Sequence, residues 1–104
     1  MADYKMLIDG ELRDSSDGDT FATYNPATGE KIADVAKATR EDAIAALEAA
    51  RRAFDEGTWS RTSGKERAEK LRAIGAVIAA NAEELAEIEA RDGGGTIRKA
   101  MFAD

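Results

Sequence analysis

No cysteine and no histidine occur in the 104 residues. The first absence excludes disulfides and thiolate nucleophiles. The two together exclude the usual zinc ligand sets and the side chain that most often moves protons near neutral pH. Proline occurs once, as Pro26, and aromatic residues make up 6% of the chain. Large side chains for a core are therefore scarce. Much of the 43% hydrophobic fraction is alanine, which favours helix but buries little area. No apolar run approaches the ~20 residues needed to span a bilayer. The opening Met1-Ala2-Asp3-Tyr4-Lys5 has the layout of neither a secretory signal nor a transit peptide, which gives the cytoplasm as the expected location. A formal net charge of -6 repels phosphate backbones and anionic lipid, so neither nucleic acid nor a membrane is expected as a partner.

What is present falls into two halves. Residues 1–38 read as strands and turns. Met6-Leu7-Ile8 is a short apolar run, Asp9-Gly10 is a two-residue hairpin signal, and Glu11-Leu12-Arg13 is the return strand. A polar loop, Asp14 to Asp19, follows. Thr20-Phe21-Ala22-Thr23-Tyr24 alternates with β-prone residues. Asn25-Pro26-Ala27-Thr28-Gly29 is a turn in which Pro26 fixes its own φ and Gly29 can take a positive one. Lys31 to Ala36 alternates again, which puts Ile32 and Val35 on opposite faces unless a bulge intervenes.

Residues 39–104 read as helical. Thr39-Arg40-Glu41-Asp42 is a weak capping box, and Ile44, Leu47, Ala50 or Arg51, and Phe54 make one stripe ended by Gly57. Ser63-Gly64-Lys65-Glu66 is a better box, followed by a stripe of Leu71, Ile74 and Ile78 with Val77 beside them. Asn81-Ala82-Glu83-Glu84 can cap again before Leu85 and Ile88, or the second and third helices run on as one bent helix. Asp92-Gly93-Gly94-Gly95 breaks the pattern, and Thr96 can cap a last helix from Ile97 to Ala103.

Strands first and helices after is an α+β order rather than alternating βαβ. The expected architecture is one partial domain: short antiparallel strands with a hairpin, then three to four α-helices. Such short strands make a poor sheet alone, and their edges and the helical stripes need cover. The chain therefore reads as a layer that needs something to pack on.

A series of short motifs runs through the chain in order. They are Leu7-Ile8-Asp9-Gly10-Glu11, Phe21 through Asn25-Pro26-Ala27-Thr28-Gly29-Glu30, Ala49-Ala50-Arg51-Arg52-Ala53-Phe54, Trp59-Ser60, Glu66-Arg67, and the segment from Asn81 to Asp92. This series resembles the opening of the aldehyde dehydrogenase superfamily, over essentially the whole chain. The resemblance implies a much longer parent chain, a larger α/β enzyme of which this chain is an incomplete part, in which such a segment packs against a Rossmann-like cofactor domain and a β-rich arm joins subunits. It implies oxidation of an aldehyde to a carboxylic acid: a cysteine thiolate attacks the carbonyl, hydride passes to NAD or NADP, and glutamate-activated water hydrolyses the thioester. None of those catalytic or cofactor residues maps onto a position here. This chain alone is expected to hold no cofactor and to be inactive. The resemblance also implies a monovalent cation site in some members, with Thr23 and Tyr24 offering backbone carbonyls and Asp92 a carboxylate; the plainer alternative is two strand residues and a helix-end residue. One departure stands out: Gly93-Gly94-Gly95-Thr96 follows Asp92 where the family usually has a polar residue, one glycine and a lysine.

Other candidates favour plain readings. The glycine run lacks the lysine and spacing of a phosphate loop and follows no strand. Glu83, Glu84, Glu87 and Glu89 with Asp92 flank Leu85 and Ile88 as a solvated face does. Trp59 reads as packing between helices one and two rather than as a ligand platform. Arg51, Arg52, Arg61 and Lys65 read as ion-pair partners for Asp55, Glu56 and Glu66. Three functions follow in order: a scaffolding piece of an aldehyde dehydrogenase, partnered by the rest of that chain; a stand-alone module that self-associates, as a dimer or larger assembly, or docks on a full-length relative; and, last, a small enzyme of unrelated chemistry.

Overall fold

The structure is a computed structural model, and it describes residues 1–102. Four strands precede four α-helices: β1 (Met6–Ile8), β2 (Glu11–Arg13), β3 (Thr20–Tyr24), β4 (Lys31–Ala36), α1 (Arg40–Glu56), α2 (Gly64–Ala80), α3 (Ala82–Gly93) and α4 (Ile97–Phe102). A single 3-10 turn, Trp59–Arg61, lies between α1 and α2. The expected α+β order holds, and the helices number four, within the three to four expected. Ala103, placed at the end of the last helix by the sequence, lies outside the described residues. Among the described residues no helix is long and apolar enough to cross a membrane.

β1 and β2 pair antiparallel, with Ile8 opposite Glu11. The two residues between them both have positive φ, 53° at Asp9 and 78° at Gly10. That is the turn geometry whose twist matches a two-residue hairpin, and it explains why Asp-Gly is the sequence found there. β3 and β4 form a second pair, joined by the Asn25–Gly29 turn, in which Gly29 does take a positive φ of 77°. The bonds closing the two ends of this hairpin are Asn25 N–H to Glu30 O and Lys37 N–H to Asp19 O. They are out of register by one residue, so one strand carries a bulge. The buried residues of β4, Ala33 and Ala36, accordingly lie three apart instead of two. Tyr4 adds a parallel bridge to Val35.

The described residues gather into two compact units. The first comprises Met1–Thr23 and Ala33–Arg61, and the second comprises Tyr24–Ile32 and the residues from Thr62 onward. In the first, α1 meets β1. An open cleft of about 330 Å³ there is lined by Leu7, Ile8, Asp9 and Gly10 of the hairpin and by Ala46, Ala49, Ala50 and Ala53 of α1. The helix thus turns an alanine ridge to the hairpin, while its larger apolar residues stay open: Leu47 is 70% and Phe54 64% exposed. In the second unit α3 packs on α2 and α4, with Ala86 and Ala100 buried. Among the described residues the buried hydrophobic set is Ile8 and five alanines, and no large side chain is fully buried.

Candidate functional site

The most tightly organised polar cluster lies at the start of α1. Thr39 is extended (φ -90°, ψ 174°), so its side chain turns back on the helix. Its Oγ1 accepts from Asp42 N at 3.2 Å, while Asp42 Oδ2 accepts from Thr39 N at 2.9 Å. That reciprocal pair is a complete capping box, stronger than the sequence expectation. The same Oδ2 also accepts from Ser16 N at 3.1 Å, and Ser16 Oγ lies 2.7 Å from Thr39 Oγ1. Asp42, buried at 7% exposure, thereby ties the 14–19 loop to the helix. The Thr39 backbone N–H, then the Ser16 backbone N–H, hold its carboxyl below the ordinary aspartate value. In the loop, Ser15 Oγ lies 2.9 Å from both Asp17 Oδ1 and Asp19 O, and Asp19 N donates to Asp17 Oδ1 at 2.9 Å. The Asp19 N–H first, then the Ser15 hydroxyl, lowers the Asp17 pKa.

These groups satisfy one another. The junction from β4 into α1 is Lys37-Ala38-Thr39, without glycine. At the start of α1 the Asp42 carboxylate accepts the N–H groups of Thr39 and Ser16. At α2, Ser63 Oγ accepts from Glu66 N and Glu66 Oε2 accepts from Ser63 N, both at 3.2 Å.

The three residues expected from the resemblance to hold a cation sit as follows. Thr23, half-buried, and Tyr24, exposed, end β3; Asp92 is exposed in the last turn of α3. Thr23 belongs to the first unit, and Tyr24 and Asp92 to the second. Glu83, Glu84, Glu87 and Glu89 are exposed, and among the described residues no three acidic side chains converge as metal ligands do. Trp59 is 48% exposed on the 3-10 turn.

Several local expectations change in detail. Arg51 pairs with Asp55 in two contacts of 2.8 and 2.6 Å and lies over the Phe54 ring. Arg52 instead reaches Asp9 in the hairpin turn at 3.1 Å, a partner 43 positions away that helical spacing cannot reveal. Arg61 donates to the Glu56 and Gly57 carbonyl oxygens, using the open C-terminal acceptors of α1 rather than a carboxylate. Asn81 does separate α2 from α3, yet its side chain makes no N-cap bond; its Nδ2 donates back to Val77 O at 2.8 Å. Thr96 does cap α4, accepting from Lys99 N. Gly94 ends α3 with φ 74°, and a Cβ there would lie 2.7 Å from Pro26 Cγ. Gly94, the middle of the three glycines, is thus fitted to Pro26, the only proline of the chain.

Strand hairpins followed by capped, alanine-rich helices with open apolar faces mark a segment of a larger fold, and comparison identifies which. The aldehyde dehydrogenase family model matches residues 12–104. The chain belongs to the aldehyde dehydrogenase family. It is 42% identical over 100 residues to aldehyde dehydrogenase family 2 member C4 of Arabidopsis thaliana, covering 96% of this chain and 20% of that protein. To betaine aldehyde dehydrogenase of Bacillus subtilis it is 44% identical over 94 residues, covering 90% and 19%. Among solved structures, the NAD+ complex of the Bacillus cereus aldehyde dehydrogenase superposes with a TM-score of 0.92 at 42% identity, covering 97% of this chain and 21% of that one. The Sinorhizobium meliloti NAD-dependent enzyme gives 0.90 at 38% identity, covering 94% and 20%. The chain thus spans about a fifth of the length of the relatives it matches, and corresponds to their N-terminal portion.

Proposed function

We propose that this chain is the N-terminal scaffolding segment of an enzyme that oxidises an aldehyde to a carboxylic acid with NAD or NADP, and that it is itself non-catalytic. The observation behind this reading is its open apolar surface. Leu71, Ile74, Val77 and Ile78 on α2 and Leu85 and Ile88 on α3 are 45–63% exposed, although both helices are well formed and their relatives are about five times longer. Thioester chemistry needs a thiolate, and no cysteine exists here to supply one. A cytoplasmic, oligomeric enzyme is part of the same reading.

The test is a full-length chimera in which this chain replaces the first fifth of the Bacillus cereus enzyme. A soluble chimera that reduces NAD+ when given an aldehyde supports the reading; an insoluble or inactive one counts against it. The chain alone is expected to give no aldehyde-dependent NADH or NADPH. A second reading, a self-associating module, is favoured by the one-sided stripe of α1, where Ile44, Leu47 and Phe54 leave the rest of the helix alanine or charged. Full activity of the chimera with a strictly monomeric isolated chain would remove it.

A further inference from the structure

The exposed apolar face of α2 continues into α3. Leu71, Ile74, Ile78, Leu85 and Ile88 are 45–59% exposed. Counted along the chain, they are separated by alternating steps of three and four residues once Asn81 is set between Ile78 and Leu85. The same steps place Arg67 at one end of the row and Asp92 at the other, both exposed. This alternation is the repeat of a coiled-coil seam. Asn81 leaves helical geometry, with φ -114° and ψ 20°, but its two departures have opposite sign and largely offset. Its N–H still reaches Val77 O at 3.2 Å, and its carbonyl accepts from Leu85 N at 3.0 Å. The seam therefore bends at Asn81 without changing face. Lys65, Glu69 and Arg72 on α2 and Glu83 and Glu87 on α3 hold the opposite side, as on helices that dock by one face. α4 packs on α3 and leaves open a groove of about 250 Å³ beside the seam, lined in part by Ile78, Leu85 and Met101.

The order of charges decides what fits this seam. α2 carries four basic and two acidic residues, and α3 carries five acidic and one basic. We infer that two copies of this chain join in solution through the seam, with their α2–α3 segments antiparallel. Each α2 then lies on the α3 of the second copy. Arg67 faces Asp92, Leu71 faces Ile88, Ile74 faces Leu85 and Ile78 faces Asn81 of the second copy. The steps read the same from either end, so every layer forms twice about one twofold axis. A parallel pair would set Arg67 on Arg67 and Asp92 on Asp92, and like charges in contact are costly. Asn81 is tolerated in the seam because its Nδ2 is already bonded to Val77 O at 2.8 Å. The seam thus supplies its own complement in charge and in apolar order, which makes a second copy its occupant. This goes beyond the scaffolding reading and does not depend on it, since it concerns the 104 residues on their own.

Sedimentation equilibrium of the 104-residue chain is expected to show a dimer; a monomer at every concentration overturns the inference. Arg67→Glu sets like charges against each other and is expected to weaken the dimer at least about tenfold. Adding Asp92→Arg to the same chain is expected to restore it, with helical circular dichroism unchanged in both. A dimer indifferent to Arg67→Glu, or not restored by Asp92→Arg, overturns the inference. The chain has no cysteine, so Ile74→Cys and Leu85→Cys variants report the register directly. Mixed and mildly oxidised, they are expected to form the disulfide between the two variants in preference to either variant linked to itself. Ile74→Cys linked to itself means a parallel pair, and a dimer that forms no mixed disulfide uses another face, such as that of α1; each result overturns the inference. If Arg67→Glu loses helix, the disulfide pair, which changes no charge, decides. None of these outcomes bears on the activity of the chimera, so the scaffolding reading stands or falls separately.

Discussion

Gly94 and Gly75 sit in the same unit, yet they answer to opposite demands. At Gly94 a side chain meets both a φ of 74° and the Pro26 ring, so Gly94→Ala should destabilise the chain by about 1–2 kcal/mol or more. At Gly75 the space is open, so Gly75→Ala should stabilise the isolated chain by about 0.5–1 kcal/mol. Urea melts of the two variants give the signs directly; a destabilising Gly75→Ala in the isolated chain would show that the open space is already filled. Gly57 is a third case. It ends α1 as the sequence expects, but with an extended backbone (φ -72°, ψ 168°) rather than a left-handed one. Glycine is required there because a Cβ would run into the Ala53 carbonyl oxygen. Asp42 adds a pH effect at the same scale. Its folded pKa lies below the ordinary value of 3.8, so it stabilises the fold above that value, and the contribution disappears as pH falls toward the lowered folded pKa. Asp17 is shifted in the same direction. Asp42→Asn should therefore flatten, without abolishing, the fall in melting temperature below about pH 4; an unchanged acid limb would mean that Asp42 is not ionised in the folded state.

Helices α1, α2 and α4 each begin where a short polar side chain accepts from the third residue of the helix, and this is why those boundaries are readable. Thr39 and Ser63 both carry completed capping boxes. Replacing either by alanine should cost about 1 kcal/mol. Hydrogen exchange should then speed up in the first turn of the affected helix and leave the other helix unchanged; a uniform increase would mean that the caps act on the whole chain. The strands were equally legible, because Asp9-Gly10 and Asn25–Gly29 are turn chemistry with few alternatives. What the sequence concealed was any relation across distance. The Asp42 carboxylate tied to Ser16, the Arg52 pair with Asp9 and the Pro26 seat of Gly94 link residues far apart in the chain, and no local period encodes them. At Asn81 the sequence leaves open a cap or one longer bent helix; the residue separates α2 from α3 without a side-chain cap, since its amide returns to Val77 O. The α1 stripe of large residues was read correctly too; that the hairpin takes the alanine ridge instead follows from close approach, which spacing does not express. For the candidate site, the sequence could exclude thiol and imidazole chemistry by composition alone. It could not show that the Asp42 carboxylate also takes the Ser16 N–H.

For the molecule as a whole, two terms oppose each other when the chain is alone in water. Exposed apolar side chains on α1, α2 and α3, from Leu47 and Phe54 to Ile78 and Ile88, favour association, and each one fully covered is worth about 1.5–3 kcal/mol. A net charge of -6 resists it, because copies approaching one another share the same sign. Salt acts on only one of these. Raising ionic strength from about 0.01 M to about 1 M shortens the screening length from roughly 30 Å to roughly 3 Å, which removes most of the repulsion and leaves the apolar term. The isolated chain should therefore shift toward dimers or larger species as salt is added, with a parallel fall in binding of a hydrophobic dye as the faces become covered. Sedimentation velocity across that salt range measures the first, and dye fluorescence the second. A monomer with a cooperative melt at every salt concentration would mean that the exposed faces are stable in water as they stand, and the argument that they need cover would lose its physical basis.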